Sequence, residues 1–140
     1  MAAKSNYLEE KILNYIFNDS AFTAPQTFVS LYTSSPADDD SGTEASGTAY
    51  ARIEVHENAG SSPYWNLAVV DGIGYLVDNL QAIVFATAGS GGWGTISHFG
   101  IHDALTVGNL LYHGALTVSQ AVNEGSTFEF AAGDCNVREE

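Results

Sequence analysis

Three histidines have the spacing in this sequence that comes nearest to chemistry. His98 and His102 lie four residues apart in a run of β texture, which puts them on one face of a strand, and His113 falls in the next such run, Leu110 to Thr117. If the two runs pair, three imidazoles could converge on a transition metal, with Asp103 as a carboxylate neighbour. That outcome hangs on register, because a one-residue slip reverses the facing of every side chain on a strand. Histidines in strands are more often surface or hydrogen-bonded core residues. The reading is therefore no metal centre, with His98, His102 and His113 as the cluster to inspect.

Other candidate motifs are weaker. Asp38, Asp39, Asp40 and Glu44 could attract calcium, but they lack the alternating ligand order of an EF-hand loop and read as a solvated acidic loop. Gly89, Gly91 and Gly94 spell a dinucleotide-binding fingerprint, yet Thr95-Ile96-Ser97-His98-Phe99 follows where a helix should begin. There is no G-x-S-x-G elbow, and no serine, histidine and acid are set apart by local context. A single cysteine, Cys135, excludes an intramolecular disulfide framework and reads as a small semi-buried residue. No catalytic residue and no cofactor is expected, and the chain is not read as an enzyme. What remains is contact surface: Tyr64, Trp65, Tyr75, Trp93 and Tyr112 are large, stiff side chains suited to anchoring an interface, with core packing as the alternative for each.

Composition narrows the partners. Seventeen Asp and Glu against Lys4, Lys11, Arg52 and Arg138 give a formal charge of −13 in 140 residues. Such a surface repels phosphate backbones and anionic lipid, so nucleic acid and membrane are excluded as partners. The longest apolar runs, such as Ala82 to Ala86, fall far short of a membrane span, and no signal peptide is visible at the start of the sequence. The length suits one domain with a real core.

The elements that must position these residues are mostly strands. Ser5 or Asn6 can cap a helix over residues 6–17, with Glu9 and Glu10 in its first turn and Leu8, Ile12 and Ile16 at helical spacing. Thereafter short β-branched and aromatic runs alternate with Gly, Asp, Asn and Ser. The runs are Thr27 to Thr33, Ala49 to Val55, Trp65 to Val70, Ile73 to Val77, Ala82 to Ala88, Thr95 to Ile101, Leu110 to Thr117 and Thr127 to Phe130. Asp71-Gly72 marks a hairpin, Ser34 to Gly47 a long acidic loop, and His56 to Pro63 a turn-rich stretch. Seven to nine strands are predicted over a β domain of about residues 27–137: a mainly β, single-domain antiparallel sandwich or barrel with one N-terminal helix. No repeat or heptad appears.

Trp93 to Asp103 followed by Gly108 to Thr117 closely resembles a family of small virion proteins of tailed phages, often labelled tail-fibre proteins. Ser5-Asn6-Tyr7-Leu8-Glu9 through Asn14, Thr23-Ala24-Pro25, Leu31-Tyr32-Thr33-Ser34, Gly47 to Arg52 and Phe130 to Asp134 resemble it too, in the same order; about Val55 to Gln81 does not. The resemblance brings no catalytic residues. It implies a structural role in the virion for a protein made in the bacterial host cytoplasm. Compact size and the lack of fibre repeats favour a capsid decoration, or cement, protein on the major capsid protein, a homo-oligomer and often a trimer in such proteins. The alternative is a tail, neck or baseplate accessory or a tail-fibre protein that contacts other virion proteins and binds a receptor or glycan.

Overall fold

The computed structural model describes residues 2–55 and 64–139. The turn-rich stretch expected at His56 to Pro63 lies outside the described residues. Ser5 starts the chain's helix, α1 (Asn6–Phe17): its Oγ accepts from the Leu8 N–H at 3.2 Å and its hydroxyl donates to the Leu110 carbonyl. One small side chain thus caps the helix and ties it to the sheet. Leu8 is buried and Ile12 half-buried against the core, but Ile16 is exposed with Leu13 and Phe17, so the last turn of the amphipathic pattern leaves the sheet behind.

Ten strands are found among the described residues: β1 (Ala2–Lys4), β2 (Phe28–Tyr32), β3 (Ile53–Glu54), β4 (Val69–Asp71), β5 (Gly74–Asp78), β6 (Ile83–Val84), β7 (Gly94–His102), β8 (Leu110–Val122), β9 (Glu129–Phe130) and β10 (Asn136–Glu139). They form three antiparallel sheets, in the orders β1-β8-β7-β2-β3, β10-β5-β4 and β6-β9. None closes into a barrel, so the sandwich alternative holds. The two strands beyond those predicted are the terminal ones. Ala-Ala-Lys and Asn-Val-Arg-Glu carry little β pattern of their own and are strands because β8 and β5 offer them edges.

Strand β2 is buried along its whole length, which makes it the organising element. Val29 and Leu31 alternate toward the apolar core, opposite Ile101 and Phe99 of β7. A run of edge-to-face rings, Phe85–Phe128–Phe130–Phe99, with centroids 5.1–5.9 Å apart, joins the β6-β9 layer to the main sheet. Asn79, buried at the end of β5, pins the segment before β10. Its Oδ1 accepts from the Cys135 N–H at 2.8 Å and its Nδ2 donates to the Gln81 and Ala131 carbonyls at 2.8 Å each. Cys135 itself is fully buried, and burial pushes its thiol up to about 12.

Two predicted strands are shorter than expected. Ala49 adopts φ +70° and Tyr50 turns back onto the Gly47 carbonyl, so the run at Ala49 to Val55 yields only the short β3. The run at Ala82 to Ala88 is regular strand only at Ile83–Val84, although the Phe85 and Ala88 N–H groups still donate to the Phe128 and Ser126 carbonyls. The hairpin is present, with Gly72 at φ +65° leading a two-residue loop closed by Asp71 opposite Gly74.

The second face of β2 packs so tightly that a methyl group at Gly100 would sit 2.8 Å from Ser30 Oγ and 2.9 Å from both Leu110 Cδ1 and Tyr32 Cε2. Gly100→Ala is expected to destabilise the fold by about 1–3 kcal/mol, the usual cost of overpacking. Urea denaturation should show this as a lower midpoint with an unchanged slope; an unchanged midpoint would contradict the packing described.

Candidate functional site

The register settles where the histidines face. Pairing of β2 with β7 runs unbroken from Phe28 opposite His102 to Tyr32 opposite His98, so His98 and His102 share a face. His113 stands opposite Gly100 and joins them on that face. The three nevertheless do not converge. His98 Nδ1 bonds Ser97 Oγ at 2.9 Å, His113 Nε2 bonds Asp38 Oδ1 at 3.0 Å, and His102 is buried between Ser30 and Tyr32. Asp103 turns away to close the β7–β8 loop, accepting from the Asn109 N–H at 2.6 Å and its side-chain amide at 2.8 Å. Among the described residues no three His, Cys, Asp or Glu side chains are grouped to hold a metal ion.

His102 is the centre of a polar chain that local sequence context did not reveal. Tyr32 donates its hydroxyl proton to Asp40 Oδ1 at 2.5 Å, so its oxygen must accept from His102 Nε2 at 3.2 Å. The Nδ1 lone pair then faces the Ser30 hydroxyl at 3.1 Å, whose single proton is shared between that nitrogen and the Gly100 carbonyl, also at 3.1 Å. Burial first, and the Arg52 charge second, hold His102 below the ordinary histidine value against the opposing pull of Asp40 and Glu44. Burial and then Asp40 push the Tyr32 phenol up. Although serine, histidine and aspartate are brought together, Ser30 and His102 are each 0% exposed, so no substrate reaches the hydroxyl. The arrangement is a latch on the acidic loop.

That loop was predicted to be solvated, and most of its acids are instead engaged. Asp38 meets His113, Asp40 meets Tyr32, and Glu44 takes a two-pronged bond from Arg52, Nε to Oε1 at 2.9 Å and NH2 to Oε2 at 2.8 Å. Arg52 NH1 also donates to the Ala104 and Val107 carbonyls at 3.0 and 2.7 Å, so one guanidinium joins the loop to the β7–β8 turn. Burial alone would raise Glu44, but the Arg52 bonds and charge and the Tyr50 hydroxyl outweigh it and hold the carboxyl below its ordinary value. Only Asp39 stays on the surface with a purely local bond, to the Ser41 N–H.

The aromatic side chains divide. Trp65, Tyr75 and Tyr112 line one apolar groove between the β10-β5-β4 sheet and the edge of the main sheet, together with Leu67, Val77 and Val137. Tyr64 is half-buried and packs on the core. Trp93 does not serve as an interface anchor: it is buried, its indole N–H donates to the Thr48 carbonyl at 3.1 Å, and Tyr50 lies edge-on at 5.3 Å. The preceding glycines form a tight connection into β7. Gly92 at φ +66° passes so close to Val122 that a Cβ would lie 2.4 Å from its carbonyl oxygen, and no helix follows.

Residues 3–138 match the family described as podophage GP4 fiber I protein gp80. The chain belongs to this family. Membership places it among the structural proteins of the tailed-phage virion, as the ordered resemblance implied. A search of curated proteins gave no match. In this fibre-family chain Val69 and Val70 of β4 and Ile73 of the hairpin turn are also exposed.

Two expectations test the latch. Because folding lowers the His102 value, the unfolded chain binds that proton more readily. The stability His102 contributes is full above pH about 6.5 and is lost as pH falls toward its lower folded value. The melting temperature should fall from about pH 7.5 to about pH 5.5, and His102→Gln should flatten that slope; equal slopes in the two proteins would contradict the assignment. Arg52→Lys keeps the charge but loses the fork and its reach to two carbonyls. It should cost about 1.5–3 kcal/mol in chemical denaturation.

Proposed function

We propose that the chain is a non-catalytic, compact subunit of the fibre apparatus of a tailed phage, attached to neighbouring particle proteins through its exposed apolar surface. The observation that carries this reading is the contrast between its two polar and apolar sites. Ser30, His102 and Tyr32 are sealed from solvent beneath the exposed Asp40, while Leu67, Val69, Val70, Ile73 and Tyr75 are more than half exposed on and beside one small sheet. Apolar surface concentrated in this way serves contact rather than chemistry.

A shaft does not fit the geometry. The longest strand, β8 with 13 residues, folds back along β7 inside the main sheet, and no repeat is available to extend a fibre. A compact unit at a fibre's attachment or end fits both this and the fibre description of the family. Capsid decoration, favoured from the sequence, rested on small size and missing repeats. A compact fibre subunit has both features equally.

Reconstruction of the intact virion, with density assigned to this chain by its ten-strand fold, tests the proposal. Copies are expected at the fibres, the collar or the tail. Copies spread over the capsid lattice would sink it in favour of decoration.

A further inference from the structure

We propose that in the assembled particle the N-terminal arm, β1 with α1 (residues 2–17), docks on the β8 edge of a second copy of this chain instead of its own. This rests on the reading above that the chain is an assembled particle subunit. The docking site is shaped to this arm, so its occupant is an arm of the same sequence. β1 pairs with β8 from Ala2 opposite Gly114 to Lys4 opposite Tyr112. The Ser5 N–H then donates to the Leu111 carbonyl at 2.9 Å and the Asn6 N–H to the Asp38 carbonyl at 2.8 Å. Ala2 and Leu8 are buried, and Lys4 pairs with Glu139. A neighbour's arm makes each of these contacts equally well, so exchange needs no new complementary surface.

The connection back to the body permits exchange. Residues 18–27 join α1 to β2 without helix or strand, a longer link than most in compact domains. Among the described residues, Asn18 and Ser20 bond only back to Asn14, and the next hydrogen bonds to the body are at Thr27. Phe22 is the side chain of this link that packs on the apolar core. Asp19 turns the chain at φ +53°, a left-handed conformation that a helix exit usually gives to glycine or asparagine. Pro25 holds Ala24 and itself extended. Opening the chain at Asp19 removes the left-handed residue and frees the arm to reach a neighbour.

Charge favours the arm as the contact between copies. Lys4 and Lys11 balance Glu9 and Glu10, so the arm is neutral and the rest of the chain carries the whole −13. Extended, the link of residues 18–27 spans up to about 33–36 Å. That is about four Debye lengths at physiological salt, so two acidic bodies exchange arms without being pressed together. The helix also has an unused apolar face: Leu13, Ile16 and Phe17, at i, i+3 and i+4, are 55%, 62% and 74% exposed. That face adjoins the link where exchanged chains cross, whereas a lone chain leaves it in water.

The test combines Ala3→Cys with His113→Cys, two positions that face each other across the β1–β8 pair. Facing residues of antiparallel strands stand about 4.5–5.5 Å apart at Cα, within disulfide reach. Cys135 is fully buried and stays out of the reaction. Particles carrying the double variant are oxidised with diamide and run on a non-reducing denaturing gel. The expected main species is two or more chains linked together, reverting to single chains on reduction. A disulfide closed within single chains as the main species overturns the proposal, and so does the absence of any disulfide in particles that contain the folded variant. If the double variant fails to fold or to enter particles, benzoylphenylalanine at the exposed Ala3 alone decides after irradiation. A crosslink to residues 110–115 of a second copy supports exchange; one to the same chain or to a different particle protein overturns it. Particles that lack the wild-type chain altogether would overturn the functional reading on which the proposal rests.

Discussion

Strand β2 is buried on both faces, and the rest of the molecule is arranged to make that tolerable. One face is ordinary: Val29 and Leu31 meet the apolar core. The other carries Ser30 and Tyr32 into a place without water, where an unpaired hydroxyl costs about 1–3 kcal/mol. Neutral His102 resolves both at once, facing Ser30 with one ring nitrogen and Tyr32 with the other. Asp40 takes the last proton, so the acidic loop must fold down over the sheet, and Glu44 with Arg52 holds its far end. Gly100 is the space that lets this face close.

The same arrangement explains how a chain of −13 folds with four basic residues. Three of the four are set against carboxylates: Arg52 on Glu44, Lys4 on Glu139, and Arg138 beside Asp71. Lys4 and Glu139 join the two terminal strands, so β1 and β10 are held by an ion pair as well as by sheet bonds. Exposed ion pairs contribute little individually, and these are partly buried ones set where chain ends would otherwise fray. The remaining carboxylates leave most of the surface anionic, and the apolar surface of the small sheet stands out against it.

Much of this was legible in the sequence because local chemistry and tertiary demand agree. Ser5 and Glu9 mark the start of α1, and the Asp71-Gly72 turn and the β texture of β7 and β8 reappear in the fold. Even the shared face of His98, His102 and His113 follows from strand periodicity. What each imidazole does there was not legible. His102 meets Ser30 and Asp40, which lie 72 and 62 positions away in the chain, and only the β2–β7 register brings them together. Trp93 and Tyr75 look alike as isolated aromatics; burial separates them, and burial is a property of the packed fold. The weakly patterned terminal strands were missed for the same reason, since their partners rather than their residues make them strands.

We propose that this fibre-family protein works by contact, through the exposed apolar side chains on and beside its small sheet, while Ser30 and His102 stay closed to solvent. Amide hydrogen exchange, compared between the free chain and the chain in assembled particles, addresses it most directly. The account expects protection gained on assembly to concentrate at Leu67 to Tyr75, with Phe28 to Tyr32 equally protected in both states. Protection gained mainly at the acidic loop, with Leu67 to Tyr75 unchanged, would contradict it.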